Sequence, residues 1–161
     1  MSQLQNTLIN LDEAVREQLI ALLNTRVGLL TDLYVQTKLA HWNVRGPHFI
    51  AYHGLFDSIA DRLLETQDTM AERAATLGGA AGMTIQEIVH GASLPAWPLN
   101  VRQDRQVIQL LAERLGHVAN QIRGDIESAA NLGDADTADL FTEVSRQLDK
   151  DLWLIEAHYN A

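Results

Sequence analysis

The sequence predicts an all-α chain: a four-helix bundle whose second and third helices are joined by a long crossover containing a short helix. Three observations carry that reading. Four long segments repeat apolar residues at spacings of three and four, the mark of a helix with one buried face. Strong helix stops, Gly46-Pro47, Gly78-Gly79 and Gly133, separate those segments. Between Gly78 and Gln103 the chain is rich in Gly and Pro and too long for a tight turn, which suits two helices that run parallel and need a crossover.

In chain order, residues 1–9 read as a short polar tail and residues 10–161 as a single domain. Asn10 is placed to cap the first helix, with Glu13 three residues on. That helix carries Leu19, Leu22, Leu23, Leu30, Leu33, Tyr34 and Thr37 on one side, and His41 continues the stripe, so this histidine faces a packed surface. The second helix spans Phe49 to Leu77, with Tyr52, Phe56, Ile59, Leu63, Met70 and Ala74 as its apolar row. In the crossover, Gly82, Gly91, Pro95 and Pro98 enclose one helical run from Thr84 to Val89. The third helix, about Asp104 to Leu132, keeps Val107, Leu111, Leu115, Val118, Ile122 and Ile126 in register. The last begins at Asp134 or Asp136 and carries Leu140, Phe141, Val144, Leu148, Leu152 and Ile155.

Composition narrows the function. A net charge of −9 argues against a general polyanion binder, and the only lysines are Lys38 and Lys150. The absence of cysteine excludes disulfides and thiolate metal sites and suits a reducing cytoplasm. The first residues have no basic stretch followed by an apolar run, and no segment approaches the length of a membrane span, so neither secretion nor membrane insertion is expected.

Chemistry concentrates between His41 and Arg73, where five metal-capable side chains stand: His41, His53, Asp57, Asp68 and Glu72. On the second helix, His53 and Asp57 are four apart, Asp68 and Glu72 are four apart, and the two pairs are offset by eleven residues. Eleven residues make about three turns, so both pairs share a face. They cannot share an ion, because Asp57 and Asp68 are separated by ~16 Å along the axis. The turn at Gly46-Pro47 brings His41 to the level of His53, each six residues from Pro47, which gives a His41/His53/Asp57 cluster. Asp68 and Glu72 remain as an incomplete half-site. Two copies related by a two-fold axis, with antiparallel helices, set one copy's His-His-Asp against the other's Asp-Glu. The spacing therefore predicts a metal site shared between subunits, twice per dimer.

His41-Trp42-Asn43 with His53 and Asp57, followed by Asp68-Thr69-Met70-Ala71-Glu72-Arg73, resembles the ferroxidase signature of the Dps family, the DNA-binding proteins from starved cells. The similarity continues through Leu77-Gly78-Gly79, Thr137-Ala138-Asp139 and Asp149 to Ala157. The resemblance implies a ferritin-like four-helix bundle assembled into a hollow homo-oligomeric dodecamer, with ferroxidase sites at the dimer interfaces. It implies that His41, His53, Asp57, Asp68 and Glu72 bind and oxidise Fe²⁺, with hydrogen peroxide preferred and O₂ as an alternative oxidant, and that ferric mineral is stored inside. Zn²⁺ accepts the same donor atoms and is a possible competitor. The alternative is a nucleoid protector for which metal binding is secondary. DNA binding is doubtful here, because the first basic residue is Arg16 and the last is Lys150, leaving neither terminus to contact phosphate.

Other residues have competing readings. Trp42 is an interface aromatic or an electron donor beside an oxidising metal. Glu87-Ile88-Val89-His90 matches Glu-x-x-His, but it occurs once, on a short segment, where in-bundle di-iron sites need two copies on long helices. His48 reads as a turn residue, His117 as a helix-surface or packing residue, and His158 as an additional ligand candidate. Asp134, Asp136 and Asp139 cap a helix, or, as the resemblance implies, line an acidic pore where three subunits meet, with Asp139 the foremost pore residue. Asp61 and Glu65 are candidates to nucleate mineral.

Overall fold

The computed structural model describes residues 4–91 and 94–159. Residues 1–3 of the expected tail, 92–93 of the crossover and 160–161 lie outside the described residues. The chain forms five helices, α1 (Glu13–Asn43), α2 (Phe49–Thr76), α3 (Ile85–Gly91), α4 (Asp104–Asn131) and α5 (Ala135–Glu156). Among the described residues there is no strand, only one isolated parallel bridge between Arg45 and Gln103. No described helix is long and apolar enough to cross a membrane.

α1 packs on α2 and α4 on α5 as two antiparallel hairpins, and the pairs join chiefly through α1 and α4. The bridge at Arg45 fixes the topology. Arg45 N–H donates to Arg102 O at 2.8 Å and Asp104 N–H to Arg45 O at 2.9 Å, so α2 and α4 begin at the same end and run parallel. The crossover is thus a geometric necessity. Leu19, Leu30, Phe56, Leu63, Leu115 and Phe141 are among the side chains at no more than 1 % exposure along the common axis. Truncating Phe56 or Phe141 to Ala would cost about 3–5 kcal/mol.

Helix ends follow local chemistry. Gly46 has φ +146°, and a Cβ there would sit 2.5 Å from the Asp104 carboxylate, so this turn admits only glycine. Gly78, at φ +92°, closes α2: Gly78 N–H reaches Ala75 O at 2.9 Å and Gly79 N–H reaches Ala74 O at 3.1 Å. The same paired bonds, Gly133 to Ala130 O and Asp134 to Ala129 O, close α4. α3 starts with a capping box, Thr84 N–H to Glu87 Oε2 at 2.7 Å and Glu87 N–H to Thr84 Oγ1 at 3.3 Å. It runs two residues past the expected Val89.

The start of α1 differs from expectation. Asp12, not Asn10, is the N-cap, and its carbonyl accepts the first helical bonds, from Val15 and Arg16. Leu4 and Leu11 pack against the core, and Gln5 N–H donates to Gly78 O at 2.8 Å. Apolar anchoring of this segment prevails over the Asn10–Glu13 box.

Buried ion pairs tie the hairpins together. Arg26 of α1 donates to Asp125 of α4 at 2.5 and 3.0 Å, and Arg62 of α2 donates to Asp151 of α5 at 3.0 and 2.6 Å. Such pairs contribute less to net stability than their geometry suggests, since each charge loses its water, but they fix which helix faces which.

Candidate metal centre

His41 lies on the last turn of α1 and His53 and Asp57 on the first turns of α2, and the Gly46 turn folds them to one level. The two imidazoles stack with ring centroids 3.6 Å apart and planes 21° apart. Each ring nitrogen Nδ1 bonds to the other residue's backbone carbonyl, His41 to His53 O at 2.8 Å and His53 to His41 O at 2.9 Å. A carbonyl can only accept, so both Nδ1 atoms carry hydrogen, and in the neutral form of each ring the lone pair is on Nε2. That is the tautomer a metal ligand requires, and here the backbone fixes it.

Asp57 Oδ1 stands 3.7 Å from His41 Nε2 and 2.6 Å from Lys38 Nζ. The hydrogen bond from Lys38 holds the Asp57 carboxyl below the usual carboxylate range; desolvation opposes it, and the charges of His41, Lys38 and His53 act with it. Reciprocally, that bond pushes the Lys38 ammonium up. Lys38 also lies 5.8 Å from the centroid of Trp42, a ring that is 62 % exposed.

Asp68 and Glu72 sit on the last turns of α2, exposed, and neither carboxylate joins an ion pair among the described residues. One protomer thus brings His41, His53 and Asp57 together and leaves Asp68 and Glu72 apart from them. Within one protomer's described residues, no three ligand-type groups are placed to hold an ion.

The remaining candidates are placed clearly. His48 is half exposed and its Nδ1 pairs with Asp104 Oδ2 at 2.9 Å, joining the α1–α2 turn to the start of α4. His117 is on the surface of α4, 2.7 Å from Gln121 Nε2. His158 is exposed and meets the buried ring of Tyr52 edge-on, with centroids 4.9 Å apart. The Glu87 carboxylate is turned back onto Thr84, accepting from its N–H and its hydroxyl.

Asp134 departs from the pore reading. Its side chain is buried, accepts from Arg73 Nη2 at 2.7 Å and from Thr137 Oγ1, and so points into the protein. Burial alone would raise its pKa, but the Thr137 and Arg73 contacts prevail and hold it below the usual range. Asp136 and Asp139, one turn apart on α5, remain exposed. Lys38 is the residue that sequence reasoning passed over. Its signal was available: Lys38 and Asp57 lie nine and ten residues from Pro47 on opposite arms of the hairpin, at one level.

Comparison with known proteins agrees with this architecture. A ferritin-like domain model matches residues 20–161. The chain is 41 % identical over 149 residues to the DNA protection during starvation protein of Agrobacterium fabrum, covering 92 % of each chain. Its fold superposes on a Dps of Mycobacterium smegmatis with a TM-score of 0.91 at 26 % identity, covering 97 % of this chain and 94 % of that one. A Dps protein of Vibrio cholerae, described as one of a broad superfamily of ferritin-like diiron-carboxylate proteins, gives a TM-score of 0.87 at 25 % identity, with 98 % of each chain covered.

Proposed function

Because this chain belongs to the ferritin-like family, and within it to the Dps proteins, we propose that it oxidises Fe²⁺ at sites shared between two subunits and stores the ferric product in a hollow homo-oligomeric shell, a dodecamer. The observation that carries the reading is the pair of locked imidazoles beside Asp57, with Asp68 and Glu72 exposed farther along the same helix. Imidazole nitrogen suits Fe²⁺, and carboxylate oxygen suits both Fe²⁺ and the harder Fe³⁺. His41, His53 and Asp57 of one subunit, with Asp68 and Glu72 of another, supply five protein groups without enclosing the substrate ion. Positions stay open for an oxidant.

Iron is substrate and cargo here, not a resident cofactor. With hydrogen peroxide, two Fe²⁺ ions each give up one electron, the O–O bond breaks, and two hydroxide ions leave. Removing both reactants in one place suppresses hydroxyl-radical formation and so protects against oxidative stress in the cytoplasm. O₂ is the alternative oxidant. Zn²⁺ would occupy the same donors without redox chemistry. Anaerobic titration with Fe²⁺, followed by peroxide or O₂ while ferric absorbance is recorded, tests the reading; absence of saturable Fe²⁺ binding in a Glu72-dependent stoichiometry would overturn it.

A second reading, nucleoid association, draws on one feature. Arg45, Arg102 and Arg105 are exposed at the α1–α2 turn and the adjoining start of α4, unpaired among the described residues, while Asp104 between them is buried and bonded to His48. On a chain of net charge −9, this patch supports only weak duplex binding that fades with salt. A gel shift that stays tight at moderate salt without divalent ions would favour nucleoid binding as the main role.

A further inference from the structure

α2 carries more than ligands. His53 and Asp57 open it and Asp68 and Glu72 close it, so in the shared-site arrangement one helix serves two different sites. Any rotation of α2 about its axis would misplace donors in both. Ligand geometry tolerates only about 0.5 Å and 10–20°.

A different face of α2, well round the helix from the ligand row, carries Arg62 and Arg73, which are also eleven residues apart. Each arginine ends on a buried carboxylate of α5 or its cap. Arg62 Nε and Nη2 donate to Asp151 Oδ1 at 3.0 and 2.6 Å, and Asp151 is 1 % exposed. Arg73 Nη2 donates to Asp134 Oδ2 at 2.7 Å and Arg73 Nε to Thr137 Oγ1 at 3.0 Å, while Thr137 Oγ1 donates to the same carboxylate. Asp134 is 4 % exposed and Thr137 fully buried. The ligand row and the arginine row thus share one three-turn period, and Arg73 directly follows Glu72.

Apolar packing alone lets a helix slide and roll by small amounts. A guanidinium held through two nitrogens cannot roll without breaking charge-assisted hydrogen bonds. Buried ion pairs add little net stability over apolar packing of the same volume, so two on one helix face suggest a geometric role. We infer that Arg62 and Arg73 are positioning residues: they pin the rotation of α2 against α5 and thereby align both half-sites that α2 contributes. The inference rests on the shared-site reading above.

The test uses Arg73→Lys and Arg62→Lys, which keep the charge and lose the forked contact, and Thr137→Val, which removes one acceptor of Arg73 and leaves its carboxylate. Assembly size, thermal midpoint and Zn²⁺ affinity of the metal-free protein are measured, with Glu72→Gln alongside. The expected result is parent-sized assemblies whose Zn²⁺ Kd rises about tenfold, the scale on which supporting residues act on metal ligands. Lys variants of parent size with a lowered midpoint and unchanged Kd would show a merely structural role and overturn the inference. If Glu72→Gln itself leaves Zn²⁺ affinity unchanged, the shared-site reading falls and the inference with it. If Glu72→Gln weakens binding and the Lys variants do not, the inference alone falls.

Discussion

His41 and His53 hold each other's imidazole through the backbone, each Nδ1 bonded to the other's carbonyl at 2.8 and 2.9 Å. The arrangement needs both residues at one level of a tight hairpin, and it orients two Nε2 lone pairs at no cost in extra side chains. Beside them the Lys38 ammonium stands 2.6 Å from Asp57 Oδ1, an internal cation that a metal ion bound as proposed would have to displace.

Replacing Lys38 by Met should therefore tighten divalent-metal binding by about two- to fivefold, the size that a partly exposed ion pair supports. Asp57 would at the same time lose the main cause of its lowered pKa, so metal binding in the variant should fall off at a higher pH than in the parent. Calorimetric titration across pH checks both. Identical affinities in parent and variant would mean that Lys38 does not compete for the carboxylate.

Shared sites make a distinct prediction for mixtures. His53→Ala subunits retain Asp68 and Glu72, and Glu72→Ala subunits retain the histidines, so a mixed dimer contains one complete site and one doubly defective site. Co-refolded mixtures should recover about a quarter of the parent's metal capacity, since random pairing makes half the dimers mixed and each restores one of two sites. Mass spectrometry confirms that mixed dimers form. No recovery in their presence would assign each site to a single subunit.

Asp134 links stability to acid. Its folded-state pKa is depressed, so its contribution is complete above the ordinary carboxylate range and is lost as pH falls through the folded value. Asp134→Asn should destabilise by about 3 kcal/mol at neutral pH, because it leaves the Arg73 charge without its partner. Towards pH 2 the two proteins should converge. Denaturation midpoints measured from pH 7 downward check this, and a difference that stays constant with pH would remove Asp134 from the linkage.

Entry of iron is predicted to be separable from its oxidation. With Asp134 turned inward, the exposed carboxylates at the start of α5 are Asp136 and Asp139. Asp139→Asn should slow uptake several-fold at low iron and low salt, where an acidic ring attracts Fe²⁺ most, while oxidation at loaded sites proceeds normally. Glu72→Gln should instead weaken loading itself. Stopped-flow absorbance resolves the two phases; an Asp139→Asn assembly of parent size and parent uptake rate would place the entry elsewhere.

Much of this was legible in the sequence because helices convert spacing into geometry. Gly78 and Gly133 stop helices where their conformation is needed, and the Gly46-Pro47 turn sets His41 opposite His53 by simple counting. The separation of Asp57 from Asp68 along one axis likewise follows from the rise per residue. Tertiary structure decided what periodicity leaves open: where a polar side chain points once two helices meet. Asp134, Asp136 and Asp139 are equivalent as a string, yet packing of α2 on α5 delivers Arg73 to Asp134 alone and removes it from the surface. Lys38 is an ordinary helix cation until the hairpin carries Asp57 to it. The reciprocal carbonyl bonds of His41 and His53 likewise depend on two backbones meeting at hydrogen-bond distance. Sequence spacing gives level and face along one helix; the partner of each charge is set where two helices meet, within a hairpin for Lys38 and Asp57 and across the bundle for Arg73 and Asp134.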